Sequence, residues 1–400
     1  MKKFAKDFTL QEPIPQEGID LALGVLKTGR IHRYNTMPEE KGYAAELEEA
    51  FADYTGVRYC LSCASCGSAL YIALKSLGVQ NGDTVLCNAY TLAPVPGAIE
   101  NAGGTIELVE ITDDYTIDVE DLDRKAGKTK AKFFLLSHMR GHMANMDKVM
   151  EIVNKHNLIM LEDCAHTMGA CWNGKKSGTF GKAACYSTQT YKHMNSGEGG
   201  LLITNDDYVM ARAIMFSGSY MLYSAHTRRP ALEVFEKVKK VTPNYSSRMD
   251  NLRACILLPQ LKNLDERCRR WNVLFNHMAA RLEKISGCVC PKRDSREYYV
   301  GSSIQWNLPK ANYAQLQEFI EKCAVRGVSV KWFGNKEPVG FTSSYDSCQY
   351  FSYFANLDLP NTKKVLATMC DMRLPLTFNT DDCDLIADII EEVIKETGLN

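Results

Sequence analysis

The chain has 400 residues, of which 45% are hydrophobic and 24% charged, and its formal net charge is −1 at pH 7. This near-neutral balance gives no reason to expect nucleic acid or an anionic membrane surface as a partner. No apolar run reaches the roughly 18–20 residues that span a bilayer. The first residues, "MKKFAKDFTLQEPIPQEG", lack the apolar core of a signal peptide. We therefore expect a cytoplasmic protein with no membrane partner.

The chain contains fifteen cysteines, many for a protein in which no signal peptide is expected. A disulfide framework is typical of short secreted chains, which this is not. Most of the cysteines lie in apolar segments, where cysteine behaves as a small hydrophobic residue. Cys63 and Cys66 form a C-x-x-C pair, but no second pair or histidine stands at the spacing of a zinc site. We therefore expect no metal site.

Helix-like and strand-like segments alternate from about residue 45 to residue 215. Amphipathic periodicity predicts helices at residues 45–54, 68–78, 118–127 and 147–157. Apolar runs predict strands at residues 83–89, 104–111, 131–137, 158–163, 183–186 and 201–204. Strands that recur between helices indicate βαβ units and a mainly parallel sheet.

The remainder of the chain predicts a smaller α+β unit. Residues 249–285 have the pattern of one long helix, with Pro259 as a candidate kink. Strands at 298–308 and 328–333 and helices at 313–327 and 381–398 follow it. The fold class is therefore α/β, with a large domain built on a mainly parallel sheet flanked by helices, and a smaller α+β C-terminal domain. We assign residues 1–20 to an N-terminal arm, 21–270 to the large domain and 271–400 to the small domain.

Asp163 and Lys192 are the first candidate site residues. Asp163 ends the apolar strand "LIMLED", and ligands of parallel sheets bind at the carboxyl ends of strands, although Asp is also a common helix N-cap. Lys192 lies in a polar loop between two apolar strands. It is either a solvated lysine of the loop or a nucleophilic amine. A carboxylate that holds a protonated ring nitrogen and a lysine that forms a Schiff base are what a pyridoxal 5'-phosphate (PLP) site requires.

A candidate phosphate cup precedes the helix in "SCASCGSALYIAL". Ser65, Cys66, Gly67 and Ser68 come directly before it, so backbone N–H groups and the positive end of the helix dipole can meet an anion. Ser187 adds a hydroxyl, because its segment runs towards Lys192. The candidate phosphate cup at residues 65–68, the acid Asp163 and the lysine Lys192 therefore follow one another in this order along the chain.

In this order the segments resemble the DegT/DnrJ/EryC1/StrS family of PLP-dependent sugar aminotransferases, which have the aspartate aminotransferase fold (fold type I). The resemblance covers about residues 20 to 285. It is carried by "NAYTLAPVPGAIENAGGTIELVEI", "HMRGHMANMDKVMEIVNKHNLIMLEDCAHTMGA", "CYSTQTYKHMNSGEGGLLITND" and "NYSSRMDNLRACILLPQLKNLDERCRRW". The third of these matches the family's S-x-x-x-x-K-x-x-x-x-G-E-G-G signature.

The resemblance implies a role for each matching residue. Lys192 would bind the cofactor as a Schiff base and then shuttle protons as general base. Asp163 would keep the pyridine nitrogen protonated, and His166, where many members have Gln, would contact the phenolic oxygen. Ser187 and residues 65–68 would hold the phosphate. Gly197–Gly200 would let the backbone pass close to the pocket.

Three departures from the family pattern leave residues open. The phosphate loop has Cys66-Gly67-Ser68 where Ser-Gly-Thr is usual, so its register is open by one residue. Leu92 stands where members often have an aromatic residue that stacks on the cofactor ring, so the contact falls to Leu92 or to Tyr90. The family's asparagine that reaches the phosphate of a partner subunit aligns with Ser246, and Asn244 lies two residues earlier.

The resemblance also implies a homodimer and substrate-binding residues. Partner residues usually complete each site of this fold type. Arg33 and Arg248 are candidates to bind an anionic group of the substrate, although a single arginine is more often a surface charge.

The expected function is transfer of an amino group from glutamate or glutamine to a keto or aldehyde group of a nucleotide-linked sugar. One alternative is a PLP-dependent sugar dehydratase of the same family, in which histidine replaces the lysine; here Lys192 is present with His193 beside it. The other is a regulatory protein that binds PLP without catalysis.

Overall fold

The computed structural model describes residues 2–37, 39–335 and 344–399. The helices are α1 Gln16–Thr28, α2 Tyr43–Thr55, α3 Cys66–Leu77, α4 Pro94–Asn101, α5 Val119–Thr129, α6 Met146–Lys155, α7 Asp207–Ser217, α8 Leu232–Val238, α9 Asn251–Lys262, α10 Leu264–Leu282, α11 Tyr313–Val325, α12 Pro360–Ala367 and α13 Thr380–Glu396. The strands are β1 Tyr59–Cys63, β2 Thr84–Asn88, β3 Thr105–Val109, β4 Phe133–Ser137, β5 Ile159–Asp163, β6 Cys171–Trp172, β7 Lys175–Lys176, β8 Ala183–Ser187, β9 Gly200–Thr204, β10 Glu297–Tyr298, β11 Ser303–Asn307, β12 Lys331–Trp332 and β13 Met369–Arg373.

Within the described ranges, the main sheet has seven strands in the order β1-β9-β8-β5-β4-β2-β3. Strand β9 is antiparallel to both of its neighbours, and the other pairs are parallel. All five residues of β4 and of β8 are buried, as expected for strands covered by helices on both faces. The α/β fold class with a mainly parallel sheet is confirmed.

The register of the central strands decides which residues meet at the carboxyl edge of the sheet. Ser137 at the end of β4 pairs with Asp163 at the end of β5, and Asp163 pairs with Cys185 of β8. Strand β8 therefore delivers Ser187 and the loop with Lys192 to the edge where β5 delivers Asp163. The sheet thus brings together residues far apart in the sequence.

The C-terminal part of the chain contains a second sheet, antiparallel and in the order β11-β13-β12. The N-terminal arm reaches this part, because the rings of Phe4 and Phe8 each lie 5.0 Å from the ring of Phe378. The boundary predicted at residue 270 falls inside α10, so the division into domains stays a prediction.

The single helix predicted over residues 249–285 is wrong. Two helices, α9 and α10, meet at Asn263, whose backbone is not helical (φ −102°, ψ 7°). Asn263 Nδ2 donates a hydrogen bond to the carbonyl oxygen of Pro259 (3.2 Å), so its side chain competes with the helical backbone pattern. Pro259 itself lies inside α9.

Two predicted strands are shorter than expected. The segment 298–308 is divided between β10 and β11, because Gly301 donates its N–H to Asn272 Oδ1 (3.0 Å) and not to a neighbouring strand. In the segment 328–333, only Lys331–Trp332 forms a strand.

Among the described residues, no helix is long and apolar enough to cross a membrane.

Candidate active site

Asp163 lies buried at the end of β5 with both carboxylate oxygens held in place. Ser137 Oγ donates a hydrogen bond to Oδ2 (2.7 Å), and the N–H of Ala165 donates to Oδ1 (3.1 Å). Asp163 caps none of the helices in the described part of the chain. The side chain is therefore a fixed negative charge at the carboxyl edge of the sheet, where ligands of such sheets bind.

Lys192 lies in the loop between β8 and β9, and its Nζ is 2.9 Å from Nε2 of His166. Burial lowers the pKa of Lys192 to about 7; the positive charge of Arg140 acts in the same direction and Asp163 opposes it. Burial and the neighbouring Lys192 hold the pKa of His166 well below its usual range. Near neutral pH the site therefore contains a neutral imidazole beside an amine that can gain or lose a proton.

The turn before α3 has the structure of an anion cup. Ser65 is the N-cap, and it exchanges hydrogen bonds with Ser68: the Ser68 N–H donates to Ser65 Oγ and the Ser65 N–H to Ser68 Oγ, both at 3.0 Å. Ser68 is thus used in capping. The first N–H groups of a helix have no partner inside it, so those of Cys66 and Gly67 are the available donors.

Gly200 explains why the glycine pair follows Lys192. A Cβ at Gly200 would lie 2.5 Å from the carbonyl oxygen of Ser65 and 2.7 Å from Cα of Cys66. Strand β9 therefore passes directly against the backbone of the cup, which only a glycine permits.

A pocket of about 530 Å³ unites these elements. The predicted site residues that line it are Ser65, Cys66, Gly67, Leu92, Asp163, His166, Ser187 and Lys192. Tyr90 is fully buried and packs on Phe333, with 5.3 Å between ring centroids, so of the two candidates for the ring contact Leu92 lies at the pocket.

Ser68, Tyr90 and Arg33 do not line this pocket. Neither do three predicted site residues of one segment, Asn244, Ser246 and Arg248. Asn244 and Ser246 are exposed and bond to each other, the Ser246 N–H donating to Asn244 Oδ1 (2.8 Å). Arg248 donates from Nη1 to the carbonyl oxygen of Gly218. Within one chain, none of the three reaches the Lys192 pocket.

The structure does not place Arg33 at the Lys192 pocket, and its role in binding a substrate anion stays a prediction. Arg33 is 4% exposed and forms a bidentate ion pair with Glu48, with Nη2 2.7 Å from Oε2 and Nη1 2.8 Å from Oε1. The guanidinium charge is therefore already paired inside the protein. The sequence offered no sign of this pairing, because Glu48 belongs to the otherwise ordinary amphipathic pattern of α2.

Sequence reasoning missed three cationic residues that line the pocket: Arg140, Lys331 and Arg373. They come from the loop after β4, from β12 and from the end of β13. Arg140 has a left-handed backbone conformation (φ 55°), which is uncommon for a residue other than glycine and marks a position held by its surroundings. The three lie far apart in sequence, so no local motif connects them.

The C-x-x-C pair does not act as a unit. Cys63 is buried at the end of β1, whereas Cys66 lines the pocket. All fifteen cysteines are free thiols.

Comparison with known proteins agrees with this geometry. The sequence model of the DegT/DnrJ/EryC1/StrS aminotransferase family matches residues 25–391. The chain belongs to this family.

Two proteins with related sequences have different names. The chain is 32% identical over 246 residues to a GDP-perosamine synthase of Caulobacter vibrioides, and the match covers 61% of this chain and 60% of that one. It is 32% identical over 290 residues to a "pleiotropic regulatory protein" of Geobacillus stearothermophilus, covering 70% of this chain and 72% of that one. The chain thus spans about three fifths of the length of the first relative.

A solved structure shows the fold. A GDP-4-keto-6-deoxymannose-3-dehydratase with a trapped PLP–glutamate geminal diamine superposes with a TM-score of 0.81 at 18% identity, covering 96% of this chain and 100% of that one. The fold type I architecture is therefore confirmed.

Membership of the DegT/DnrJ/EryC1/StrS family makes PLP the cofactor. The residues of the pocket fit this group. The cup at α3 offers N–H donors for a phosphate, Asp163 offers a fixed carboxylate for a protonated ring nitrogen, and Lys192 offers an amine that is partly neutral near pH 7. We therefore expect these residues to contact the cofactor.

Proposed function

We propose that the protein is an aminotransferase that moves an amino group from glutamate or glutamine to a keto or aldehyde group of a sugar, in nucleotide-linked form. The observation that carries this proposal is the placement of Lys192, Asp163 and the α3 cup around one pocket. Membership of a family described as aminotransferases supports it.

Bound PLP supplies an electron sink and a carrier for the amino group between the two half-reactions. The backbone N–H groups of Cys66 and Gly67, with the Ser187 hydroxyl, bind its phosphate. Asp163, fixed by Ser137 and Ala165, keeps a proton on the ring nitrogen. These residues hold the group in one orientation beside Lys192.

Lys192 moves protons at Nζ. An amine with a pKa of about 7 is present in both protonation states near neutral pH, which is the condition for efficient general acid and base catalysis. His166 lies within hydrogen-bonding distance of that nitrogen and orients it. Because burial keeps His166 neutral, its ring does not add a second positive charge to the site.

The site is completed in a homodimer. Asn244 and Ser246 are exposed and lie outside the pocket of their own chain, as expected if they serve the site of a second copy. Large apolar side chains are also exposed at Tyr220 and Met221, which are 49% and 71% exposed and closely follow Gly218, the residue that Arg248 contacts. Such exposure is typical of a surface that is covered in an oligomer.

The test is a spectroscopic half-reaction. Protein loaded with PLP is mixed with glutamate or glutamine, the visible absorption band is followed, and the keto acid released from each donor is quantified. We expect bleaching of the band and one keto acid per site with at least one donor. Unchanged absorbance and no keto acid with either donor would contradict catalysis and favour the regulatory alternative.

Product analysis separates the dehydratase alternative. Protein is incubated with glutamate and GDP-4-keto-6-deoxymannose, the sugar in the name of the structurally similar dehydratase. An amino sugar as product supports the proposal, whereas a deoxygenated sugar with no retained nitrogen supports the dehydratase. The presence of lysine at position 192 favours the amino sugar.

A further inference from the structure

Three cations that the cofactor does not require surround the Lys192 pocket. Arg140, Lys331 and Arg373 line it together with Lys192, and all three are half-buried. The roles described above for the phosphate, the ring nitrogen and the reacting amine fall to other residues. We call Arg140, Lys331 and Arg373 the cationic wall. Binding of the cofactor does not account for their positive charge.

Arg140 is the only member of the wall with an ion-pair partner among residues 2–37, 39–335 and 344–399. Its Nη2 lies 2.6 Å from Asp371 Oδ2, and Asp371 Oδ1 accepts a hydrogen bond from Gln305 Nε2 (2.7 Å). These contacts fix the guanidinium in place. In the same described part of the chain, the buried Nε of Arg140 has no hydrogen-bond partner.

Lys331 and Arg373 have no carboxylate within 4.0 Å among the described residues. Arg373 instead lies over the ring of Tyr191, with its guanidinium carbon 3.6 Å from the ring centroid. Among the described residues, two carboxylates line the pocket. They are Asp163, which accepts hydrogen bonds from Ser137 and Ala165, and the exposed Glu198. Among the described residues, the charges of Lys331 and Arg373 therefore have no ion-pair partner, whereas Arg140 has Asp371.

The charges of the wall disturb one another. Burial lowers the pKa of Lys331 to about 8, and Arg140 and Arg373 act in the same direction, against Asp371. Like charges in a partly desolvated pocket repel, and an anion placed among them would relieve that repulsion. Guanidinium groups are also well suited to bind the paired oxygens of a carboxylate or a phosphate.

We propose that the wall binds an oxyanion group, a carboxylate or a phosphate, carried by the acceptor near its reacting carbonyl, so that the acceptor is an acid. This proposal rests on the aminotransferase function. Both half-reactions use the same pocket, and the amino donor brings a carboxylate to it. A neutral acceptor would leave Lys331 and Arg373 without a counter-charge and would compete poorly with the donor for the pocket.

Matched pairs of aldehydes test this in the second half-reaction. The enzyme is first converted to its amino form with glutamate, and the return of the visible band is then timed. The probes are succinic semialdehyde against butanal for the carboxylate, and glyceraldehyde 3-phosphate against glyceraldehyde for the phosphate. We expect the acid of at least one pair to react about tenfold faster or more, the factor that one charge-assisted hydrogen bond supplies. The pair with the larger ratio identifies the source of the oxyanion.

Variants show whether the wall causes the preference. Lys331→Met and Arg373→Gln are each expected to reduce the acid-to-neutral ratio severalfold. Arg269→Gln is the matched control, because Arg269 is an exposed arginine outside the pocket (side chain 64% exposed), and it should leave the ratio unchanged. A ratio that falls equally in the control would overturn the assignment.

The ratio of the reaction rates of the acidic and the neutral aldehyde in the wild type tests the proposal without any variant. Ratios near one for both pairs, in protein that releases keto acid from glutamate, would overturn the acid-binding wall and leave the aminotransferase function standing. A binding measurement covers the case in which glutamate gives no half-reaction. Malonate should then raise the melting temperature of the PLP-loaded wild type but not of Arg373→Gln, and malonamide should raise neither. Equal effects of malonate on both proteins would overturn the wall independently of catalysis.

Discussion

The amine of Lys192 lies 2.9 Å from Nε2 of His166, and both groups have lowered pKa values because they are buried. A lysine in water keeps its proton up to a pH of about 10. Here the amine is held near half-protonation at neutral pH, which suits a group that must attack a carbonyl and exchange protons.

The lowered pKa predicts how cofactor loading depends on pH. Only the neutral amine reacts, so the rate at which the unloaded protein binds PLP covalently should rise with pH and level off above a midpoint of about 7. Arg140→Met removes a positive charge that lowers this pKa and should move the midpoint upward. Stopped-flow absorbance measures both. A wild-type midpoint near 10 would contradict the electrostatic account.

Gly200→Ala is predicted to damage the phosphate cup. The new Cβ would lie 2.5 Å from the Ser65 carbonyl oxygen, so strand β9 and the start of α3 must move apart. Overpacking of this kind typically costs about 1–3 kcal/mol. Urea unfolding and PLP titration should show lower stability and weaker binding.

Gly97→Ala is the matched control for that substitution. Gly97 lies in α4, and its Cβ would meet no atom within 4 Å. Because alanine favours helices over glycine by about 1 kcal/mol, this variant should be as stable as wild type or slightly more stable. Equal losses in both variants would show that contact with the cup is not the cause.

The buried pair of Arg33 and Glu48 is predicted to stabilise the fold. Burial alone would raise the pKa of Glu48, but the Arg33 guanidinium holds it well below its usual range. Glu48→Gln leaves the Arg33 charge unpaired in the interior and should cost about 3–5 kcal/mol in unfolding free energy. Because the folded-state pKa is the lower one, this contribution is complete above a pH of about 4.3 and is lost as the pH falls further.

An exposed ion pair provides the comparison. Lys262 and Glu17 lie 2.6 Å apart with side chains 65% and 53% exposed. Lys262→Met should therefore change the stability by less than about 1 kcal/mol. A loss as large as that of Glu48→Gln would mean that burial does not decide the strength of the Arg33 pair.

Subunit exchange tests the completion of each site by a second copy. Lys192→Ala and Asn244→Ala are each expected to be nearly inactive alone. If Asn244 serves the partner's pocket, mixed dimers contain one intact site, and random mixing should restore about a quarter of wild-type activity. Ser246→Ala should be tested in parallel with Asn244→Ala. If subunits exchange but activity is not restored in either mixture, Asn244 and Ser246 serve the site of their own chain.

The sequence predicted the parts of the site that are organised locally. The strand "LIMLED" ends at Asp163, the turn at Ser65 caps α3, and Lys192 lies between two apolar strands, so each could be placed from its neighbours. Alternation of strands and helices then predicted the sheet that brings them to one edge. Resemblance to a family added the cofactor.

The sequence did not predict contacts that depend on tertiary structure. Arg140, Lys331 and Arg373 meet only because the C-terminal sheet lies beside the loop after β4. Arg33 was assigned to substrate, since nothing near it in the sequence shows that Glu48 neutralises it. The division at Asn263 was missed because the apolar pattern continues through both helices, and a side-chain hydrogen bond breaks the backbone there.

The most direct test of the central claim is to locate the cofactor. Protein loaded with PLP is reduced with borohydride, which fixes the cofactor to the lysine that carries it, and the digested protein is analysed by mass spectrometry, with Lys192→Ala in parallel. The account predicts one modified peptide, with the added mass on Lys192, and no modification in the variant. Modification of another lysine, or equal modification in Lys192→Ala, would contradict it.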